Sequence, residues 1–426
     1  MPTECEIKFD SNPNGVYFSG QTLTGHVELR LDNPKKVKNL KLIISGCAEV
    51  KWTKNKIKRN GAAVVNRSGR IKRETYSGKE EFITSEFALI PRVDDDAIEI
   101  PAGTHEYTFS CQIPPQAATS FEGELGKVRY TIRAVLVRPW KFDQTCTIAF
   151  TVLQPLDLNQ EVTKLGQPKK IDRSRRFCCW PCISGPMSFS IELPVSGYVP
   201  GQKIPITVSL NNASNVPIRG IRSKLVRKVY FISQTPSRKT RSVTKTVTKI
   251  LTPVTNDESD QYTQDLMIPA TAPTGKCSIL TIDYELKVQI QLGGCRSNQE
   301  YTIPITIGTV PFTTTTPTSA TVPPLAPTED VMNVSGLGWI GGMPIPSVAN
   351  SVPPSSMPLL PNAQMSPKPP YPTSPAPPAI GFLPPSYQEV MNQSAVNMND
   401  GEPNAIGFQA YIPRYPVYNF GSPVRM

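Results

Sequence analysis

"VYFSGQTLTGHVELRLDN" (16–33) reads as a tight turn followed by a single strand. After the Gly20-Gln21 pair, Leu23, Gly25, Val27, Leu29 and Leu31 alternate with polar or charged residues, so period two gathers them on one face. Such alternation marks a half-buried strand, with one side packed and the other wet. "GYVPGQKIPITVSLNN" (197–212) repeats the plan: an aromatic, two residues, Gly201-Gln202, then Ile204, Ile206, Val208 and Leu210 on one face, ending at Asn. A second set of landmarks follows in each half. "FSCQIPP" (109–115) and "VRYTIRAVLV" (128–137) correspond to "QDLMIPA" (264–270) and "IDYELKVQI" (282–290). The order of landmarks is kept while the loops between them differ. This is an internal duplication of a unit of roughly 150 residues.

Helical periodicity is almost absent up to residue 310. Many short alternating strands, separated by Gly, Pro and Asn turns, predict an all-β chain of two tandem Ig-like β-sandwiches. The expected boundaries are a first sandwich over 1–155, a hinge or linker over 156–185, a second sandwich over 186–310 and a tail over 311–426. The tail holds 24 of the 45 prolines, and its three basic residues stand against five acidic ones, so residues 1–310 carry +13 of the chain's net +11 and the tail −2. A proline-rich, weakly charged segment buries too little apolar surface to offset its ordering entropy, which predicts disorder. No apolar run approaches the roughly 18 residues of a membrane span. "MPTECEIKFD" has no apolar signal core, and the nine cysteines form no dense framework, so reduced thiols in a cytoplasmic protein are expected.

Little in the sequence points to catalysis. His26 and His105 are the only histidines, and His26 falls on the polar side of its strand, where a surface role is expected. No phosphate-binding glycine loop and no His-x-x-x-His pair occurs. "DDD" (94–96) reads as a solvated turn rather than a cation site. "FCCWPC" (177–182) allows three readings: packing within the linker, S-acylation of Cys178, Cys179 and Cys182 beside Arg173, Arg175 and Arg176, or a redox or zinc pair. The last lacks both a helix N-terminus and a second pair of ligands. No metal and no cofactor is expected.

The tandem turns, "YTIRAVLVRPW" (130–140) closing the first half and "CWPCISGPMSFSIELPVSGYVPGQ" (179–202) opening the second together resemble the alpha-arrestins, the arrestin domain-containing proteins. The resemblance covers residues from about 5 to 310 and extends to the Pro/Tyr tail. It implies two arrestin domains and an adaptor rather than an enzyme.

Positive charge is clustered in two places. "KWTKNKIKRNGAAVVNRSGRIKRETY" (51–76) and "RSKLVRKVYFISQTPSRKTRSVTKTVTK" (222–249) fall at matching positions of the two repeats, each as an expected hairpin. Lys54, Lys56, Lys58, Arg59, Arg227, Lys228, Arg238, Lys239 and Lys245 are the candidate basic surface. A solvated hairpin, nucleic acid, and acidic lipid or phosphorylated receptor tails are the competing readings. Interleaved stacking aromatics are missing, which argues against nucleic acid. The resemblance implies the third reading, with a transmembrane receptor or transporter as cargo.

In the tail, "LPPSYQEV" (383–390) carries Pro384, Pro385, Ser386 and Tyr387. At about three residues per turn in polyproline II, Pro384 and Tyr387 share a face. Pro-Pro-x-Tyr is the ligand type of WW domains. "KPPYP" (368–372) lacks the spacer residue. "RYPVY" (414–418) keeps Pro416 and Tyr418 in phase but has Tyr415 where the first proline should be, leaving a weaker second WW contact. The resemblance implies recruitment of a HECT-type ubiquitin ligase through its WW domains, ubiquitination of the cargo, and its endocytosis and endosomal sorting. Such a protein is cytoplasmic and is recruited to the plasma membrane and endosomes. The alternative is a ligase-independent, retromer-like sorting scaffold, which shares the fold without needing Tyr387.

Overall fold

The computed structural model describes residues 3–10, 12–56, 71–90, 97–179, 182–214, 216–254, 259–294, 296–313, 384–390, 393–398, 404–406 and 410–420.

The first sandwich contains β1 (Thr3–Phe9), β2 (Val16–Phe18), β3 (Thr22–Leu31), β4 (Lys35–Val37), β5 (Asn39–Asn55) and β6 (Arg73–Ile90). It continues with β7 (Ile98–Ile100), β8 (Gly103–Gln112), β9 (Phe121–Glu122), β10 (Gly126–Val137) and β11 (Gln144–Leu153). One sheet runs β1-β3-β8 and the other β2-β11-β10-β5-β6, with β9 on β10 and a separate β4-β7 ribbon. Alternation decides which side chains meet between the sheets. Leu23, Val27, Leu29 and Leu31 are all buried, as are Val128, Tyr130, Ile132, Ala134 and Leu136 of β10. Each Val, Leu and Ile among them contributes about 1.5–3 kcal/mol on burial. Tyr130 sits at the centre, and its hydroxyl donates to the Ala118 carbonyl at 2.7 Å. Opposite it in β5 stands Gly46, where an added Cβ would lie 2.2 Å from the Tyr130 ring.

A 3-10 turn (Leu158–Glu161) and a single helical turn, α1 (Val162–Leu165), lead into the second sandwich. Its strands are β12 (Lys169–Cys179), β13 (Cys182–Leu193), β14 (Gly197–Tyr198), β15 (Lys203–Asn212) and β16 (Ile218–Ile232). They are followed by β17 (Thr240–Pro253), β18 (Ser259–Met267), β19 (Gly275–Lys276), β20 (Leu280–Leu292) and β21 (Gln299–Ile307). The sheets run β12-β13-β15-β18 and β14-β21-β20-β16-β17, with β19 on β20. The larger sheet repeats that of the first sandwich strand for strand, down to the parallel pairing of its edge: Val16 opposite Thr151, and Gly197 opposite Thr306. Tyr284 takes the place of Tyr130, its hydroxyl donating to the Ala272 carbonyl. The two turns are built alike as well. Gly20 and Gly201 hold φ of +87° and +93°. Gln21 Oε1 accepts from the Phe18 N–H, and Gln202 Oε1 from the Val199 N–H, both at 2.8 Å. The Gly-Gln pair is therefore a turn device in which glycine supplies the positive φ and glutamine satisfies a backbone donor.

Two expectations need correction. Of the segment expected as a linker over 156–185, Lys169–Cys179 is a strand paired with β13, because Ile171 opposite Ile191 and Arg173 opposite Phe189 extend the small sheet. The expected disordered tail is ordered at its distal end. There β22 (Ser386–Glu389) pairs with β25 (Arg414–Val417), and β23 (Val396–Asn397) with β24 (Ala410–Tyr411). The reason lies in burial: Tyr411, Pro413 and Tyr415 recur at period two and all three are buried. Residues 314–383 lie outside the described residues, and with them "KPPYP".

Candidate functional site: the tail and the basic hairpins

The distal tail lies across both sandwiches. Tyr415 is 1% exposed, and its hydroxyl donates to the Ser120 carbonyl at 2.8 Å. The Tyr411 hydroxyl donates to the Phe150 carbonyl at 3.2 Å, and the Arg414 N–H donates to Thr151 Oγ1 at 3.2 Å. These partners belong to the first sandwich or to its approach to β9. The chain then crosses over. The Tyr418 N–H donates to the Pro200 carbonyl at 3.0 Å, beside the Gly201-Gln202 turn of the second sandwich. Its hydroxyl donates to the Thr309 carbonyl at 2.7 Å, and Tyr418 and Phe420 pack on Leu158, Leu165 and Val199. Burial pushes the Tyr411 and Tyr418 phenols up to about 12, and that of Tyr415 well above its ordinary range. Buried and hydrogen-bonded, these phenols act as anchors and not as acids.

The WW motif is carried on the second strand of this unit. Pro384 and Ser386 are exposed, while Pro385 and Tyr387 are half-buried. Tyr387 stands opposite Pro416 in the β22-β25 pair and packs against the apolar cluster that contains Tyr415. Arg414 ties the two strands further by an ion pair to Glu389 at 3.1 Å. The expected second WW contact is not presented for binding: Pro416 is buried and Tyr418 is engaged on the body. Tyr411 and Tyr415 were not anticipated as functional residues. Their alternation with Pro413 is the signal that marks them, since period two in a proline-rich tail predicts a strand with a packed face.

The two basic segments do form hairpins, β5-β6 and β16-β17, and the turn of the second meets strand β6 of the first. The Ser77 N–H donates to the Thr235 carbonyl at 2.9 Å, and the Lys79 N–H to Gln234 Oε1 at 2.9 Å. The candidate cations divide accordingly. Arg227 is not on the surface: it is half-buried, its guanidinium 5.2 Å from the centre of the Phe121 ring. Its charge marked it for the surface, but it is in phase with the buried Leu225, Val229 and Phe231 of β16 and so lies on the packed face. Lys239 Nζ donates to the Tyr76 hydroxyl at 2.8 Å, and Lys245 pairs with Glu124 at 2.8 Å, so both fasten one sandwich to the other. Lys228 lies 4.0 Å from Glu285 and 5.1 Å from the Tyr230 ring centre, and Lys56 lies 3.7 Å from Glu74. Lys54 and Arg238 are exposed. Lys54, Lys239 and Arg241 line a groove of about 550 Å³ floored by the stacked rings of Trp52 and Tyr76. Arg241 is a member the sequence reading omitted. Lys58, Arg59 and the 94–96 aspartates lie outside the described residues.

His26 is not the solitary surface residue expected. It bonds Asp10 at 2.8 Å, with Glu28 and Glu106 close by. Lys8 at 2.6 Å and Arg30 at 2.6 Å both pair with Glu28, and the Lys8 hydrogen bond, then that of Arg30, holds its carboxyl below the usual range. With two cations already on Glu28, the cluster is an ion-pair network poorly suited to a metal. The β12-β13 hairpin sets Cys179 opposite Cys182 in the backbone, while the side chains of Cys178, Cys179 and Cys182 lie outside the described set.

Residues 5–159 match the family model "Arrestin (or S-antigen), N-terminal domain", and residues 183–312 match "Arrestin (or S-antigen), C-terminal domain". Over 315 residues the chain is 30% identical to arrestin domain-containing protein 4 of Mus musculus, covering 72% of each. It is 29% identical over 325 residues to arrestin domain-containing protein 17 of Caenorhabditis elegans, covering 72% of this chain and 70% of that one. To arrestin domain-containing protein 1 of Mus musculus it is 26% identical over 298 residues, covering 69% and 62%.

Proposed function

The chain belongs to the alpha-arrestin family of arrestin domain-containing proteins, and from that premise we propose that it is an adaptor joining membrane-protein cargo to a HECT-type ubiquitin ligase. The observation that carries this reading is Pro384-Pro385-Ser386-Tyr387, a WW ligand on a tandem sandwich. The tail binds the ligase and the sandwiches engage a transmembrane receptor or transporter. Holding both on one scaffold raises the effective concentration of ligase at its substrate. Ubiquitination then promotes endocytosis and endosomal sorting of the cargo. Among the described residues no helix is long and apolar enough to cross a membrane. A cytoplasmic adaptor recruited to the plasma membrane and endosomes accordingly needs a partner or lipid to hold it there. Lys54, Arg238 and Arg241, around the groove between the hairpins, are the residues we assign to acidic lipid or acidic cargo segments.

The ligase-independent scaffold gains support from one feature, the partial burial of Tyr387. The two readings part in cells. Cargo ubiquitination that rises with the intact chain and not with Tyr387→Ala supports the ligase adaptor. Equal ubiquitination with both, alongside unchanged cargo sorting, supports the scaffold.

A further inference from the structure

Both strands of the tail unit carry sequence that a WW domain could read, yet each is turned toward the body. A WW domain needs the tyrosine ring for one pocket and the preceding proline for its aromatic groove. In the docked tail the Tyr387 ring packs on the body, and its backbone is paired to Pro416. Strand and polyproline II are both extended, so little has to change along the backbone before the motif can be read. The ring has to be freed.

What holds the ring is the companion strand. Ala410–Tyr411 and Arg414–Val417 are fixed through Tyr411, Tyr415 and Tyr418 to three different parts of the body, the Phe150 carbonyl, the Ser120 carbonyl and the Thr309 carbonyl. The fit is close. A Cβ on Gly201 would stand 2.0 Å from the Tyr418 carbonyl oxygen, so the turn of the second sandwich admits this backbone only because residue 201 is glycine. Backbone carbonyls accepting from tyrosine hydroxyls, with apolar walls around the rings, make a receptor for an extended peptide rich in tyrosine and proline.

We propose that the surface running from Ser120 and Phe150 to Pro200 and Thr309 is a peptide-binding site, that its ligand is the chain's own segment 410–420, and that WW binding at Tyr387 and occupancy of this site exclude one another. The masking half of this inference rests on the ligase-adaptor reading; the docking half does not. When the site is filled, the motif is withheld. Whatever displaces the aromatic segment releases the motif. Apparent affinity for a WW domain then scales with the undocked fraction of the chain.

The test titrates one WW domain from a HECT-type ligase against three partners: the isolated peptide 380–392, the intact chain, and the intact chain carrying Tyr415→Ala. The peptide and the variant should bind alike, and the intact chain should bind about tenfold more weakly or worse, corresponding to an undocked fraction of about one tenth or less. Equal affinity of intact chain and peptide overturns the proposal. Hydrogen exchange on the intact chain provides the separate readout. Amides 386–389, 414, 415, 417 and 418 should be protected, and in Tyr415→Ala that protection should vanish while β10 and β20 stay protected. Rapid exchange of 414, 415, 417 and 418 in the intact chain overturns the docking site. If the peptide itself fails to bind WW domains, the ligase reading and the masking fall together. The peptide-binding site then stands or falls on the exchange result.

Discussion

The Gly20-Gln21 and Gly201-Gln202 turns are the same device used twice, but they meet different surroundings. A Cβ added to Gly20 would meet nothing within 4 Å, whereas one at Gly201 would collide with the tail at Tyr418. Duplication makes two equivalent corners, and the tail uses one of them. The symmetric part of the molecule is scaffold: sheet order, edge pairing, the central tyrosines. Its asymmetric part is where a function has been added. Neither turn differs from the other in its own geometry, so the difference arises from a segment more than a hundred residues away in sequence.

The largest effects should come where the two halves are most alike. Tyr130→Ala and Tyr284→Ala each remove a buried ring and a hydrogen bond, and each should destabilise its sandwich by about 3–5 kcal/mol. Denaturant unfolding of both variants checks this. A large loss from one and almost none from the other would break the equivalence of the two cores. Next come the turns themselves. Alanine at Gly20 or at Gly201 meets the left-handed backbone penalty of about 1–2 kcal/mol. Only Gly201→Ala should also free the tail, seen as proteolysis near Arg414 in a chain whose sandwiches still melt cooperatively. Cleavage in both variants, or in neither, would mean that the contact at Tyr418 does not distinguish the corners. Smaller still is the loss of the glutamine side chain. Gln21→Ala and Gln202→Ala each remove one bond to a backbone N–H, about 1 kcal/mol. The second should matter more, because Val199 N–H is the more buried of the two donors. A reversed order by thermal melting would show that the tail does not shield its corner.

The scaffold was legible in the sequence because period two and a repeated turn are local signals. Leu23 to Leu31 and Ile282 to Ile290 could be assigned to a buried face from spacing alone, and they are buried. Contacts between repeats are not local, and there the reading faltered. Arg227 was counted among the surface cations for its charge, yet it is in phase with the buried Leu225, Val229 and Phe231 of β16 and lies against Phe121 of the other sandwich. Lys239 and Lys245 counted toward a basic surface, yet one is bonded to Tyr76 and the other to Glu124. The tail was judged by its average composition, which hides the difference between its proline-rich middle and the Tyr411-Pro413-Tyr415 alternation at its end. Composition answers whether a segment can fold alone. Whether it can fold against a surface depends on that surface, which the sequence of the tail does not contain.

The smallest expected effect is an absence of response near neutrality. Among the described residues neither histidine is bonded to the tail, and the phenols that anchor it have folded values raised above the unfolded 10.0, to about 12 for Tyr411 and Tyr418. A raised folded value means that the neutral phenol is favoured by docking. The stability it brings is therefore fully present below pH 10.0 and is lost as the pH climbs through about 12. Docking should be flat from neutrality to about pH 9, since an ordinary phenol is still neutral there. Ultraviolet titration of tyrosinate in the intact chain, in Tyr411→Phe and in Tyr418→Phe checks the upper end: each substitution should remove one late-titrating ring. No counterpart is expected at the Gly20 corner, which none of the described tail tyrosines covers. If both variants instead lose a ring that titrates with the exposed tyrosines, those side chains are in water, and the two corners are as alike in their surroundings as they are in sequence.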